Sequence, residues 1–217
     1  YEITYGDWSS DVCSSDLQMT AGLQASVIVD ACAGRGTKSI QLATLHPQAE
    51  VVASEPDQAR RESLRGTVER AVRGGAGRIR VAEGDDLRDL LGKVDLLVLD
   101  VPCSNSGVLP RRAEASHRMS PTSMQSLVDL QREIVQQHLP LLKPGGALLY
   151  ATCSLEPEEN ERQVEWITAR VGKVQPVVER HDPAGLPGEP AAAYRDGAFV
   201  ALWRGVSAGG RVAAASR

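Results

Sequence analysis

The feature that most constrains the fold is an apolar run that ends abruptly in polar and reactive groups. Leu96-Leu97-Val98-Leu99 leads directly into Asp100-Val101-Pro102-Cys103-Ser104. A short continuous apolar run predicts a strand buried on both faces, which is typical of parallel sheets covered by helices. A second such run, Ala147-Leu148-Leu149-Tyr150-Ala151, ends in Thr152-Cys153-Ser154. Because ligands of open α/β sheets lie beyond the carboxyl ends of strands, we expect both cysteines at one functional edge.

Strand-like and helix-like segments alternate along the chain. Five strands are predicted at 27–30, 50–54, 79–82, 94–99 and 147–151, and two later ones at 174–178 and 199–203. Helices are predicted from residue 37 for about ten residues, then over 57–73, 87–91, 124–142 and 158–170. This alternation predicts an α/β fold with a doubly wound, mostly parallel sheet, in which strands one, four and five are neighbours.

Length and cysteine content narrow the class of protein. A chain of 217 residues suits one large domain with a substantial core. We expect no membrane partner and no signal peptide, because no apolar run reaches the roughly 18 residues of a membrane span. The four cysteines lack the spacing of a disulfide framework or a zinc site. We therefore expect a cytoplasmic monomer without a bound metal.

The first 17 residues differ in composition from the rest. They hold four acidic side chains and no Lys or Arg, and so account for the net charge of −4. The segment YEITYGDWSSDVCSSDL resembles translated sequencing-adapter read-through, so Cys13 is given no functional role. We predict a non-native segment at 1–17, a folded domain over 18–204 and a frayed tail at 205–217, with other native sequence ahead of residue 18.

The loop after the first strand resembles two phosphate loops and matches neither. A Walker A motif needs a glycine directly before Lys38-Ser39, where Thr37 stands. A dinucleotide fingerprint needs a third glycine where Ser39 stands, which argues against a dehydrogenase. Gly34 and Gly36 remain, so the loop is compatible with close approach of another nucleotide-like cofactor.

Acidic side chains end three successive predicted strands: Asp30, Glu55 and Asp85. Glu55 is placed to accept hydrogen bonds from ribose hydroxyls, Asp85 to meet an adenine amino group, and Asp30 to lie near an ammonium group. This negative charge without phosphate-binding glycines favours S-adenosylmethionine, which is cationic and carries no phosphate. Capping of the following turns and helices is the alternative role of the same acids.

The two cysteine segments resemble those of one enzyme family. Asp100-Val101-Pro102-Cys103-Ser104, with Gly107, resembles the D-x-P-C-S-x-x-G motif of the RsmB/Sun-type RNA (cytosine-5) methyltransferases. Thr152-Cys153-Ser154 followed by Glu158-Glu159-Asn160 is similar to the T-C-S…E-E-N segment of that family. The resemblance covers about residues 22–204, and the paired cysteine motifs are highly specific.

Two further segments carry the resemblance less closely. Residues 30–38 align with the family's cofactor loop, but Arg35 and Thr37 replace its usual proline and glycine. Asp196-Gly197-Ala198-Phe199 is similar to its closing D-G-F-F segment. The resemblance implies a Rossmann-like, S-adenosylmethionine-dependent methyltransferase fold. Together with the strand-end acids, it predicts the following cofactor contacts: Asp30, Cys32, Ala33, Gly34, Gly36, Lys38, Glu55, Asp85 and Asp100. Solvation at the start of a helix is the alternative role of Lys38, and burial as a small apolar side chain is that of Cys32.

The chemistry implied by the resemblance explains why two thiols are needed. Carbon 5 of cytosine is too weak a nucleophile to attack a sulfonium methyl until a thiolate adds at carbon 6. This is covalent catalysis, which divides one difficult step into two easier ones. The resemblance makes Cys153 the nucleophile, Cys103 the thiol that assists release, and Asp100 the group that hydrogen-bonds the base.

The implied partner is RNA, with ribosomal RNA preferred over transfer RNA. Arg111, Arg112 and Arg118 follow Cys103 in a long loop, and guanidinium groups there suit phosphate contacts. A solvated basic loop is the alternative interpretation of these residues.

Two other functions stay open. One is an amino-group methyltransferase, although Cys103 stands where those enzymes have an aromatic residue. The other is a non-catalytic RNA-binding or ribosome-assembly factor on the same fold. Arg35 and Thr37 motivate this second alternative, and the intact Cys103 and Cys153 oppose it.

Overall fold

The computed structural model describes residues 16–109, 120–172, 174–181 and 196–206. The strands in these ranges are β1 Val27–Asp30, β2 Glu50–Ala53, β3 Arg78–Val81, β4 Val94–Asp100, β5 Leu142–Thr152, β6 Val177–His181 and β7 Ala198–Val206. The α-helices are α1 Thr37–Leu45, α2 Gln58–Arg73, α3 Pro121–His138 and α4 Glu161–Thr168. Single 3₁₀ turns lie at Arg88–Leu90, Ser106–Val108 and Leu139–Leu141.

The strands form one seven-stranded sheet in the order β3-β2-β1-β4-β5-β7-β6. Strands β1 to β5 are parallel to their neighbours, whereas β7 runs antiparallel to both β5 and β6. The predicted α/β class and the neighbouring positions of strands one, four and five are therefore confirmed. The strand order reverses between β1 and β4, which is where open α/β sheets bind their ligands.

The apolar run of β4 is buried on both faces of the sheet. Leu97 and Leu99 pack into one core, together with Tyr150 and Trp203. Leu96 and Val98 point to the opposite core. Alternate side chains of a strand point to opposite faces, so a central strand needs apolar residues at every position. The continuous run thus fixes β4 in the middle of the sheet, with its polar end at the edge.

Helix α3 is shorter than the sequence pattern predicts. The periodic apolar residues extend to Leu142, but the helix ends at His138 and is followed by the 3₁₀ turn containing Pro140. Proline has no backbone N–H for a helical hydrogen bond, which limits the helix there. Strand β5 begins at Leu142, before the predicted 147, and has a register irregularity opposite Val94–Leu96.

The packed structure begins before residue 18. Leu17 is 1% exposed and belongs to the same core as Ile28 and Leu202. The Thr20 hydroxyl donates a hydrogen bond to the carbonyl oxygen of Leu17 at 2.7 Å. The predicted boundary at 17 therefore passes through a packed segment, and the interpretation of residues 1–15 lies outside the described residues.

Within the described ranges, no helix is both long and apolar enough to cross a membrane.

Candidate active site

The thiols of Cys103 and Cys153 meet at the carboxyl ends of β4 and β5. These strands pair in parallel, with Asp100 opposite Ala151, so the residues that follow each strand emerge side by side. The two Sγ atoms are 3.3 Å apart. Cys103 is only 3% exposed, and Cys153 is half-buried. The structure thus brings together the two cysteines on which the sequence hypothesis rests.

The contact between the two thiols shifts their pKa values in opposite directions. Its hydrogen bond to Cys153, and then burial, raise the pKa of Cys103 well above the usual value. The same hydrogen bond lowers the pKa of Cys153 below 9.0, and Lys38 acts in the same direction. Burial and the charge of Asp100 oppose this lowering. Cys153 is therefore the thiol that ionises first, and only the thiolate is a strong nucleophile.

Asn105 contacts both sulfurs. The thiol of Cys153 donates a hydrogen bond to Asn105 Oδ1 at 2.7 Å, and the thiol of Cys103 donates to the same oxygen at 3.5 Å. Asn105 has a φ of 62° in the left-handed region, where asparagine is one of the better-tolerated residues. The tight turn after Cys103 therefore directs this carboxamide back onto the thiols.

A buried carboxylate fixes the loop that carries Cys103. Glu159 accepts hydrogen bonds from the backbone N–H of Ser104 at 2.9 Å and from its hydroxyl at 2.6 Å. The side-chain amide of Gln131, on α3, donates to the same carboxylate at 2.9 Å, and the Tyr150 hydroxyl donates to the Glu159 carbonyl oxygen at 2.8 Å. All four residues are buried, so Glu159 ties the Cys103 loop to both α3 and β5.

Asn160 fixes the other cysteine loop in the same way. Its Oδ1 accepts a hydrogen bond from the Thr152 hydroxyl at 2.7 Å, and its Nδ2 donates to the Ser154 carbonyl oxygen at 2.9 Å. Thr152 and Ser154 flank Cys153. Neighbouring residues 159 and 160 therefore hold the two thiol loops, which gives the E-E-N segment a structural reason for following T-C-S.

Gly107 and Gly197 close the site from a third segment. The Gly107 N–H donates to the Cys153 carbonyl oxygen at 3.0 Å, and the Gly197 N–H donates to the Gly107 carbonyl oxygen at 2.9 Å. A Cβ on Gly107 would lie 2.4 Å from the Gly197 carbonyl oxygen and 2.9 Å from that of Cys153. Only glycine fits this close approach of three backbones.

A cavity of about 600 Å³ opens beside the thiols. Its volume is in the range of small-molecule sites. It is bounded by the ends of β1, β2 and β4 and by one face of α3. The lining residues include the following: Cys32, Gly34, Glu55, Asp100, Cys103, Asn105, Ile134, His138 and Cys153.

Glu55 and Asp30 are buried acidic residues at the ends of β2 and β1, and they differ in how many of their carboxylate oxygens have a hydrogen-bond partner. Glu55 accepts hydrogen bonds from the backbone N–H groups of Gly34 and Asp57 and pairs with Arg60 at 3.2 Å. Asp30 accepts a hydrogen bond from the Ser39 hydroxyl on Oδ2 at 2.6 Å, while its Oδ1 has no partner among the described residues. Burial raises the pKa of Asp30 to about 6. An unpartnered buried carboxylate oxygen is a position suited to a cationic ligand.

Lys38 and Asp100 form an ion pair at the cavity edge. The Lys38 ammonium lies 2.6 Å from Asp100 Oδ2, and the Lys38 side chain is 13% exposed. Cys32 lines the cavity nearby, and burial, followed by the charge of Asp30, raises its pKa well above the usual value. Cys32 is therefore a neutral thiol there, unlike Cys153.

Five of the nine predicted cofactor residues are not among those that line the cavity: Asp30 and Lys38, which were described above, and Ala33, Gly36 and Asp85. Ala33 packs into the core and donates its N–H to Ser54. Gly36, with a φ of 90°, faces Leu64 of α2, whose Cδ1 would lie 2.7 Å from an added Cβ. Asp85 is 77% exposed and pairs with Arg88 at 3.1 Å. The structure thus shows packing for Ala33 and Gly36 and a surface ion pair for Asp85, and the predicted cofactor contacts of these three residues stay predictions.

The residues with predicted RNA contacts, Arg111, Arg112 and Arg118, lie outside the described residues. No group of three His, Cys, Asp or Glu side chains in the described part of the chain is placed to hold a metal ion.

Sequence reasoning assigned no role to several residues that shape the site. Asn105 contacts the Cys153 sulfur and lies two positions after Cys103. Its place beside the cysteine motif is the one sequence signal that could have indicated a role in the site. Glu159 and Asn160 were recognised only as part of a motif. The α3 residues Ile134 and His138 line the cavity, although their helical spacing indicated only a packing face.

The parallel sheet with an antiparallel β7, and with a cavity at the β1–β4 reversal, is the fold of the S-adenosylmethionine-dependent methyltransferases. A methyltransferase homologue from Pyrococcus horikoshii superposes with a TM-score of 0.70 at 24% identity, over 91% of this chain and 67% of that one. The structure of NSun6 from the same organism with SFG gives 0.64 at 24% identity, over 91% and 52%. At this identity the likeness defines the fold alone.

The chain belongs to the RsmB/F family of 16S rRNA methyltransferases, whose family model matches residues 19–188. Ribosomal RNA small subunit methyltransferase B of Cronobacter sakazakii is 31% identical over 202 residues, covering 92% of this chain and 46% of the relative. The same-named protein of Erwinia tasmaniensis is 37% identical over 167 residues, covering 75% and 37%. The chain spans less than half the length of these relatives.

Proposed function

We propose that this chain transfers a methyl group from S-adenosylmethionine to carbon 5 of a cytosine in RNA, with ribosomal RNA of the small subunit as the substrate. The observation that carries the proposal is the pair of thiols that lie 3.3 Å apart at the ends of β4 and β5, beside a cavity of ligand size. Their pKa values are shifted in opposite directions, upward for Cys103 and downward for Cys153. The names of the RsmB relatives support the choice of RNA.

The residues around the cavity fit S-adenosylmethionine. Asp30, whose Oδ1 has no partner among the described residues, would lie near the cationic end of the cofactor, and Glu55 would accept hydrogen bonds from ribose hydroxyls beside the Gly34 backbone. Asp100 lines the same cavity between these groups and the thiols. When bound, S-adenosylmethionine supplies an electrophilic sulfonium methyl. These carboxylates would orient it, and α3 covers one side of the cavity.

Cys153 performs the first covalent step in this mechanism. Its thiolate forms a bond to carbon 6 of the cytosine, and the electron pair of the C5–C6 double bond becomes available at carbon 5. Asp100 accepts a hydrogen bond from the exocyclic amino group on the N3 side of the base, and Lys38, its ion-pair partner, offsets the negative charge that develops on the ring. Carbon 5 then forms a bond to the methyl carbon, and the bond between that carbon and the sulfonium sulfur breaks to leave a neutral thioether. The Glu159 and Asn160 contacts hold Cys153 and Cys103 in register throughout, which limits the loss of entropy in this step.

Cys103 acts in the release step. Once the Cys103 thiol has lost its own proton to solvent, its sulfur takes the proton from carbon 5, the C5–C6 double bond re-forms, and the bond between carbon 6 and the Cys153 sulfur breaks to return Cys153 as a thiolate. A thiol with a raised pKa is a strong base once ionised, and Cys103 lies within hydrogen-bond distance of the sulfur that departs. We also propose that Arg111, Arg112 and Arg118 contact phosphates of the RNA. The proposed location of the protein is the cytoplasm.

The proposal is tested by incubating the protein with small-subunit ribosomal RNA and S-adenosylmethionine labelled in the methyl group. We expect label in RNA, and 5-methylcytosine after digestion to nucleosides. Methylation of an exocyclic amino group instead would favour the amino-group methyltransferase. Binding of RNA without any methyl transfer, or of no cofactor by the folded protein, would favour the non-catalytic assembly factor.

A further inference from the structure

Asn105 is the one side chain among the described residues that reaches both thiols of the site. Its Oδ1 is 2.7 Å from the Sγ of Cys153 and 3.5 Å from that of Cys103. The contact to Cys153 is short for a hydrogen bond that involves sulfur. Asn105 also lines the cavity in which the thiols react.

The positive φ of Asn105 costs conformational free energy that a glycine at this position would avoid. Its φ of 62° makes it the only non-glycine residue with positive φ in the described ranges. Glycine populates this region freely, whereas a side chain adds a cost there, which is smaller for asparagine than for most residues. Strained backbone at a reactive site is a pointer to a functional side chain. The side chain that this position directs onto the sulfurs is a carboxamide.

A carboxamide has the hydrogen-bonding groups that both protonation states of Cys153 require. Oδ1 accepts a hydrogen bond from a thiol, and Nδ2 donates to a thiolate. A half-turn about the terminal side-chain bond exchanges the two groups without moving the backbone. A hydrogen bond to an ionised acceptor is about twice as strong as one between neutral groups. The exchange therefore favours the thiolate overall.

We infer that Asn105 is a positioning residue that stabilises the Cys153 thiolate: Oδ1 accepts from the resting thiol, and Nδ2 donates to the sulfur once its proton has left to solvent. The inference rests on the proposed function and deepens it. The other groups that act on Cys153 are Cys103, Asp100 and Lys38, and Glu159 acts on Cys103. Lys38 is paired with Asp100, so the neutral groups within hydrogen-bond distance of the Cys153 sulfur are the Cys103 thiol and the Asn105 carboxamide.

The test follows the rate of alkylation of Cys153 by iodoacetamide against pH, resolved from the other cysteines by peptide mass spectrometry. Three variants are compared with the wild type: Asn105→Gly, Asn105→Ala and Asn105→Asp. Glycine removes the carboxamide and relieves the positive φ, whereas alanine removes it and keeps the strain. Aspartate keeps the shape but offers only acceptors and a negative charge.

We expect Asn105→Gly and Asn105→Ala to shift the alkylation profile of Cys153 to higher pH by about one unit, which is about a tenfold slower reaction at neutral pH. Asn105→Asp is expected to shift it further, and methyl transfer is expected to slow in the same order. If Asn105→Ala alone fails to fold, Asn105→Gly decides the question, since it removes backbone strain.

An unchanged profile in Asn105→Gly would overturn the inference, and so would a shift to lower pH, which would mean that Oδ1 only holds the thiol form. The alkylation assay needs neither RNA nor S-adenosylmethionine. A wild-type protein that methylates no cytosine would overturn the proposed function, whereas the alkylation profiles test Asn105 independently of that result.

Discussion

Glu159 accepts a hydrogen bond from the backbone N–H of Ser104 at 2.9 Å and from its hydroxyl at 2.6 Å, and this buried carboxylate holds the residue next to Cys103. Asn160, the next residue, holds both sides of Cys153. One short segment before α4 thus fixes the two thiols relative to each other. The 3.3 Å separation of the sulfurs depends on this segment rather than on the sheet alone.

Replacing Glu159 by Gln is expected to destabilise the protein by about 1 to 3 kcal/mol, because the amide keeps only one acceptor oxygen for three donors: the N–H and hydroxyl of Ser104 and the side-chain amide of Gln131. The matched control is Glu158→Gln. Glu158 is partly exposed and pairs with Arg162, four residues further along the chain, at 2.9 Å, so its loss is expected to cost about 0.5 kcal/mol or less. Urea unfolding of both variants measures the difference. Equal effects would contradict the role given to Glu159.

Gly36→Ala is expected to reduce the free energy of unfolding by about 1 to 3 kcal/mol. The added Cβ would lie 2.7 Å from Cδ1 of the fully buried Leu64, on a backbone with a φ of 90°. Gly22→Ala is the control, since no atom lies within 4 Å of its Cβ position. Thermal unfolding compares the two. A Gly36→Ala protein as stable as Gly22→Ala would show that α1 and α2 do not pack as described.

Asp30→Asn is expected to remove a pH dependence of stability. The folded-state pKa of Asp30 is raised to about 6 from 3.8, so between these values the folded protein binds more protons than the unfolded chain. Stability therefore falls as pH rises through this window, by about 2 to 3 kcal/mol from this group. At pH 7 we expect Asp30→Asn to be more stable than the wild type and to bind S-adenosylmethionine more weakly.

The measurement is urea unfolding of both proteins at pH 4.5 and pH 7.5, because the difference between them cancels the other titrating groups. A stability difference between wild type and Asp30→Asn that stays constant over this range would mean that the Asp30 carboxylate is not desolvated. A larger advantage for the wild type at high pH would reverse the predicted sign.

The sheet was predictable from sequence because the signals that define it are local. Buried strands such as β4 and β1 are short apolar runs, and their polar ends locate the functional edge. Strand neighbours followed from the few topologies that such alternation permits. The meeting of Cys103 and Cys153 is a consequence of the same reasoning, since parallel neighbours end at one edge.

The finer geometry of the site was not predictable because it depends on long-range contacts. Gly36 packs against the Leu64 side chain of α2, and no local sequence pattern predicts that contact. Asp85 turns to Arg88 at the surface because its loop is short and solvated. The roles of Asn105 and Glu159 follow from a backbone turn and a tertiary network, which leave no periodic signal.

The measurement that tests the central claim most directly is denaturing electrophoresis of the protein after incubation with small-subunit ribosomal RNA and S-adenosylmethionine. We predict that Cys103→Ala accumulates a covalent protein–RNA species that resists denaturation, because attack by Cys153 proceeds and release does not. Cys153→Ala is predicted to form none, and the double variant none. An adduct in Cys153→Ala, or adduct formation and methyl transfer unchanged by either substitution, would contradict the two-thiol mechanism.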